Sequence, residues 1–219
     1  MTALFVAGAH TDVGKTYVAC ALLSAARAKG LSVAAFKPVV SGISADDWEA
    51  SDPGRLIAAM GEPLDAARLE AVSPLRFAAA LSPPMAARRE GVRLELSGIV
   101  AACRAVIVAA RADLLLVEGA GGVMSPLAED GLNLDLMQAL GLPVLLVGGS
   151  YLGAMSHNLT ALSVVRAAGL KVQALAVSQD ASADAPDFDE TVADLQRFSQ
   201  GVRIVPVPRD AIDWAENLV

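Results

Sequence analysis

The sequence predicts an α/β protein: a doubly wound, mostly parallel sheet flanked by helices, built as one domain over residues 1–219. Three observations carry that expectation. Short apolar runs rich in Val, Leu and Phe alternate with helix-length stretches along the chain, the pattern of right-handed strand–helix–strand crossovers. Hydrophobic residues make up 54% of the chain and charged residues only 19%, which suits strands covered on both faces. The 219 residues are enough to bury one sizeable core, and no repeat or linker divides them.

Taken in order, Leu4-Phe5-Val6 reads as the first strand, and a helix follows from about Lys15 to Lys29, closed by Gly30. Ser32 to Phe36 supplies the second strand. Ser51 or Asp52 caps a further helix with Pro53 in its first turn. Residues 61–93 contain Pro63, Pro74, Pro83 and Pro84 and read only as loops or an edge strand. A helix near 95–111 leads into Leu114–Val117, the most hydrophobic strand, and Val144–Val147, Val172–Val177 and Val202–Val205 complete the set. Helices near 132–140, 155–168 and 187–200 connect them, with Asp187 and Asp189 near a helix N-terminus, where carboxylates are favourable.

Charge and composition exclude several classes. The net charge of −7, without a Lys/Arg cluster, argues against a nucleic-acid partner. Cys20 and Cys103 lack metal or redox spacing and read as buried thiols. No basic segment precedes an apolar stretch at the start, so a cytoplasmic location is expected. Residues 136–165 are long and uncharged enough to span a membrane, but Pro143, Gly148, Gly149 and Gly153 break them into a strand, a turn and a helix. No membrane partner is expected.

The chemistry begins at Gly8-Ala9-His10-Thr11-Asp12-Val13-Gly14-Lys15-Thr16, between the first strand and the first helix. It is a P-loop with one residue more than usual between its glycines. Backbone N–H groups at the helix start cradle phosphate, Lys15 adds a point charge and Thr16 offers a hydroxyl to Mg²⁺. Glu118-Gly119-Ala120-Gly121-Gly122 ends the Leu114–Val117 strand at the edge where open α/β sheets bind ligands, so Glu118 suits Mg²⁺ beside phosphates. Lys37-Pro38-Val39-Val40-Ser41-Gly42 ends the second strand and presents Lys37 to an anion at the same rim.

These segments, with Ser51-Asp52 before a helix and the Leu152-Gly153 run leading to His157, Asn158 and Thr160, resemble dethiobiotin synthetases in residue and in order. The resemblance implies carboxylation of 7,8-diaminopelargonic acid with CO₂, phosphorylation of the carbamate by ATP, and closure of the ureido ring with loss of phosphate. It implies Mg²⁺ on Thr16, Asp52 and Glu118, and catalysis by Lys37, Lys15 and Thr11. Asp12, Val13, Gly14, Lys15, Thr16, Tyr17, Asp52, Glu118, Gly119, Ala120 and Gly121 would meet the nucleotide, with Ser178, Gln179 and Pro208 at the base. Ser41 and Ser82 would meet the substrate. Leu152, Gly153 and Ala154 of a second copy would hold its distant carboxylate, in a homodimer with shared sites. The uncharged stretch 136–165 points the same way, since so apolar a helix asks for cover.

The chain departs from the family at His10, Asp12, Pro84 and Ser156, and at Ser178-Gln179, where an adenine-reading asparagine is usual; base selectivity is therefore the open point. His10 and His157, without a nucleophile nearby in a triad pattern, read as structural, and Trp48 and Trp214 as packing residues. Two other classes fit a P-loop α/β chain. A partitioning or maturation ATPase would carry an extra lysine soon after Gly8, and none is present. A non-catalytic metabolite sensor would have no need of Lys15, Thr16, Lys37 and Glu118 together.

Overall fold

The structure is a computed structural model describing residues 1–43, 47–209, 211 and 213–218. In chain order the elements are β1 (Thr2–Gly8), α1 (Lys15–Ala28), β2 (Val33–Phe36), β3 (Val39–Ser41), α2 (Asp52–Ala59), α3 (Ala66–Val72), β4 (Leu75–Phe77), α4 (Pro83–Arg89) and α5 (Leu96–Ala109). There follow β5 (Leu114–Gly122), β6 (Pro126–Ala128), β7 (Gly131–Leu132), α6 (Asn133–Leu140), β8 (Val144–Gly149), α7 (Ala154–Ala167), β9 (Val172–Ser178), α8 (Phe188–Phe198), β10 (Ile204–Val207) and a 3₁₀ segment, Asp213–Leu218.

Six strands form one sheet in the order β10-β9-β8-β1-β5-β2, every pairing parallel. The two-residue period of a strand splits the core in two. Phe5 and Ala7 of β1, with Leu115 and Val117 of β5, face a layer that includes α5, α6, α7 and α8. Leu4 and Val6, with Leu114 and Leu116, face α1, α2, α3 and the 3₁₀ segment. This is the doubly wound architecture the strand–helix alternation predicts, and its central strand carries the P-loop at its carboxyl end.

The helices start and stop for local reasons. Ser51 caps α2 by accepting from the Gly54 N–H, and Asp187 caps α8 by accepting from Glu190. Gly30 and Gly141 follow α1 and α6 with positive φ.

Two regions differ from the sequence expectation. β2 stops at Phe36, because Pro38 has no N–H to continue a ladder and the Lys37 N–H turns to Val72 O at 2.8 Å. Val39–Ser41 then forms a second, small parallel sheet with Leu75–Phe77. Residues 61–93 therefore hold two helices and a strand, and that strand lies outside the main sheet. The second region is α7, covered in part by its own chain. Ala154, Asn158, Ala161, Leu162 and Val165 bury its inner face in the same chain, while His157, Ser163 and Arg166 are exposed. The uncharged stretch is thus used largely within the chain. Among the described residues no helix is long and apolar enough to cross a membrane.

Cys103 is buried but Cys20 is only half-buried, against the expectation of two enclosed thiols. Burial pushes both thiols up to about 12, so neither is a nucleophile at neutral pH.

Candidate active site

The P-loop closes tightly over the end of β1. A Cβ on Gly8 would come within 2.8 Å of His10 O and 2.9 Å of Lys15 Cδ, so only glycine lets the loop fold back on itself here. Gly14, at φ 92, turns the chain into α1, and a Cβ there would meet Ser178 Oγ at 2.9 Å. Asp12 also adopts a positive φ, 59, and is exposed, whereas Val13 is buried in the core.

Behind the loop, four polar side chains converge although they are nearly excluded from solvent: Lys15 is 7% exposed, Thr16 7%, Lys37 2% and Glu118 1%. The Thr16 hydroxyl donates to Glu118 Oε1 at 2.7 Å. Lys37 Nζ donates to the same Oε1 and to Asp52 Oδ2, both at 2.6 Å. Asp52, at the start of α2, has a side chain 41% exposed and forms the open side of the cluster. The second carboxylate oxygen, Glu118 Oε2, is buried without a hydrogen-bond partner.

Charge here is set by neighbours. Burial alone would lower the Lys37 ammonium, but the Glu118 and Asp52 carboxylates outweigh it and hold the group above the usual lysine range. Burial, with the Lys37 charge beside it, pushes Lys15 down, against the pull of Glu118, Asp52 and Asp12. Asp52 would be raised by burial, yet Lys37 holds it below the ordinary carboxylate value.

The wall after Glu118 is a bulge. β1 and β5 stay in register to Val6↔Glu118 and rejoin at Gly8↔Gly122, so Gly119, Ala120 and Gly121 loop toward the site. Asn133, 2% exposed at the start of α6, holds this bulge. Its Nδ2 donates to Ala120 O and to Gly122 O (3.0 Å), and its Oδ1 accepts from Ala120 N at 3.3 Å. Ser125 Oγ accepts from Gly122 N at 2.8 Å. Sequence reasoning missed both residues; an Asn at a helix start reads as a cap, and only the bulge gives it another role.

Two cavities open between the P-loop and the segment after the β5 bulge. One, of about 520 Å³, is lined by Thr11, Ser41, Ser82, Ala120, Gly121 and Ser125 among others. The Ser41 hydroxyl donates to Leu81 O at 2.5 Å, and Ser82 precedes α4 without capping it through its side chain. The other, of about 440 Å³, shares Thr11, Ser125 and Pro126 with the first and extends to His10, His157 and Val164. There the His10 and His157 rings stack, with centroids 5.4 Å apart and planes 9° apart, and His157 Nδ1 lies 2.7 Å from the Tyr151 hydroxyl. They join the P-loop to the start of α7, the structural part the sequence suggests.

Ser178, Gln179 and Pro208, expected at the base, lie where β9 and β10 finish. Ser178 is 5% exposed against Gly14. Gln179 Oε1 accepts from Arg209 N at 3.0 Å, and Gln179 O accepts from Arg209 Nε at 2.8 Å, with Pro208 between the strand and that contact. Tyr17 packs beside Trp214, centroids 6.4 Å apart. Leu152 (84% exposed) and Gly153 (φ 91) stand at the exposed start of α7. Ala154 does not join them in being available: it is buried and its N–H donates to Tyr151 O at 2.8 Å.

The donors present fit a hard divalent cation: two carboxylates, a hydroxyl and one carboxylate oxygen left without a partner. Among the described residues no three His, Cys, Asp or Glu side chains converge, so the remaining ligands of such a cation would be phosphate oxygens and water.

Fold and site together define a P-loop nucleotide-binding protein arranged for phosphoryl transfer. A ParA family ATPase from Chlorobium tepidum matches over 99% of this chain and 88% of its own, with a TM-score of 0.55 at 15% identity. The hydrogenase maturation factor HypB of Archaeoglobus fulgidus matches over 100% and 88%, with a TM-score of 0.56 at 14% identity. At such identities the likeness is one of fold alone. In sequence, a family model described as an AAA domain matches residues 2–211. The ATP-dependent dethiobiotin synthetase BioD of Phenylobacterium zucineum is 55% identical over 219 residues, all of this chain and 94% of the relative. That of Caulobacter vibrioides is 54% identical over 217 residues, 98% and 95% of the two. The chain belongs to the dethiobiotin synthetase family.

Proposed function

We infer that this chain is an ATP-dependent cyclo-ligase that converts 7,8-diaminopelargonic acid and CO₂ to dethiobiotin, with ADP and phosphate as co-products. The observation that carries it is the convergence of Lys15, Thr16, Lys37, Asp52 and Glu118 behind a P-loop whose Thr11 and Asp12 line a cavity with Ser41 and Ser82. One amine of the substrate adds to CO₂ to give a carbamate. A carbamate oxygen takes the γ-phosphoryl group of ATP. The second amine then attacks the carbamate carbon, the ring closes, and phosphate leaves with the C–O bonding pair.

These steps call for positioning and charge stabilisation more than for a nucleophilic side chain. Lys15 and the P-loop amides hold the phosphates, with Asp12, Val13, Gly14 and Tyr17 around them. Lys37 neutralises the charge shared between carbamate and phosphoryl group, and Thr11 holds the carbamate. Ser41 and Ser82 orient the diamine, and the Gly119–Gly121 bulge lets backbone approach the nucleotide. Mg²⁺ held by Thr16, Asp52 and Glu118 would supply charge neutralisation between phosphates. Enclosure by the bulge and the β3–β4 unit keeps water from the unstable intermediates. Ser178, Gln179 and Pro208 are assigned to the base.

We further propose a single domain working in the cytoplasm as a homodimer, with Leu152 and Gly153 of the partner subunit receiving the substrate carboxylate. Support comes from the exposure of Leu152 and from the favourable field at the start of a 14-residue helix.

Phosphate release from ATP and Mg²⁺ tests the activity directly. Release should require both the diamine and bicarbonate; equal hydrolysis without them would overturn the assignment.

A further inference from the structure

We propose that Lys37 also acts as a stand-in cation: without nucleotide it occupies the position between Glu118 and Asp52, so that a divalent metal gains both carboxylates only in company with nucleotide. This rests on the metal assignment made above.

The geometry places one ammonium at 2.6 Å from Glu118 Oε1 and 2.6 Å from Asp52 Oδ2. Oε1 also accepts from the Thr16 hydroxyl, so all three residues assigned to the metal are already joined, directly or through that oxygen, to Lys37. Mg²⁺ needs oxygens at about 2.0–2.1 Å in a near-octahedral arrangement. It cannot take Oε1 and Oδ2 while an ammonium lies between them, because two cations would share the same oxygens with little water to screen them. Lys37 and Glu118 are 2% and 1% exposed, so solvent gives little relief. Glu118 Oε2 stays buried and unpartnered while Lys37 holds its neighbour, so the ammonium leaves one oxygen of this carboxylate unused. What can draw Lys37 away is a second anion, and a triphosphate laid along the P-loop is one. Asp52, on the open side, is the first carboxylate an incoming metal–nucleotide complex would meet. The lysine thus offsets part of the charge of two carboxylates at rest and makes metal binding conditional on nucleotide. A plain structural ion pair would instead persist whatever is bound.

Mn²⁺ binding followed by the electron paramagnetic resonance of the free ion separates the two, without any measurement of turnover. In the absence of nucleotide, Lys37→Met should bind Mn²⁺ at least about tenfold more tightly than wild type, a change near 1.4 kcal/mol. With a saturating non-hydrolysable ATP analogue the gap should close or reverse, because wild-type Lys37 then has the γ-phosphate to meet. If Lys37→Met does not fold, as judged by circular dichroism, Lys37→Gln repeats the comparison with a side chain that can still donate to Glu118. A neutral variant that binds Mn²⁺ no better than wild type without nucleotide, while wild type binds it with the analogue, overturns this inference alone. Absence of Mn²⁺ binding to wild type even with the analogue would remove the metal assignment and this inference with it.

Discussion

The phosphate end of the site and the base end are held in different ways. At the phosphate end Lys15 and Thr16 after β1, Glu118 in β5 and Lys37 just past the edge strand β2 are almost closed to solvent, the last three bonded to one another through one carboxylate. At the base end two short segments meet beyond β9 and the edge strand β10, joined by the Gln179–Arg209 bonds, with Arg209 exposed. Charge stabilisation gains most from burial, where the dielectric is low and nothing must reorganise during reaction. Recognition of a base needs only a few well-aimed donors and acceptors, and an edge can supply them. On the proposed assignment, the costly, enclosed groups serve the chemistry and specificity is left to the rim.

The sharpest way to break this contrast is at its centre. Lys37→Ala should lower kcat by on the order of 10²–10³, the usual loss when a group that stabilises developing charge is removed. Ala in place of the exposed Lys171 should leave kcat unchanged. Near-normal turnover by the Lys37 variant at saturating substrate would show that burial of this lysine serves stability alone.

Asn133→Ala tests the enclosure one layer further out. It takes the donor from Ala120 O and Gly122 O and the acceptor from Ala120 N. The expected cost is about 1–3 kcal/mol in a denaturant melt, typical of buried polar groups left unpaired, with a fall in kcat smaller than that of Lys37→Ala. An unchanged melt would mean that the bulge holds its shape without the clamp.

The smallest effect is expected at the rim. Gln179 Oε1 is committed to Arg209 N, which leaves its amide N–H₂ and the Ser178 hydroxyl to read a base. Values of kcat/KM for ATP, GTP and CTP should then lie within about 10² of one another, as in sites without matched hydrogen bonds. A preference for ATP on the order of 10⁴ would mean that the edge is as well organised as the centre.

The same contrast explains what the sequence could disclose. The P-loop is legible because its glycines, Lys15 and Thr16 act within one short segment, and the strand–helix alternation gives the sheet in the same local way. Glu118 could be placed at a strand end, but its sharing of Lys37 with Asp52 is a contact across three elements that no spacing encodes. Asn133 and Ser125 were invisible because their partners exist only once β5 bulges. In residues 61–93 a strand was expected at an edge, but its two flanking helices were not, and its partner, Val39–Ser41, itself looked like the tail of β2. At α7 an apolar composition suggested cover, and the helix buries Ala154, Leu162 and Val165 in its own chain while Met155, Leu159 and Val164 stay half-buried.

The position of β1 also governs how the molecule assembles in time. Thr2 pairs with Leu114 and Phe5 with Val144, so β1 must wait for partners that lie far along the chain. Contacts of such high order close large loops before any reward is gained, which slows folding and leaves an apolar N-terminal segment unpaired during synthesis. The P-loop, only a few residues past that strand, can take up its native form only when β5 and β8 have closed on either side. Nucleotide binding is in this sense a late event of folding, and a bound nucleotide would hold together the contacts that were the slowest to form.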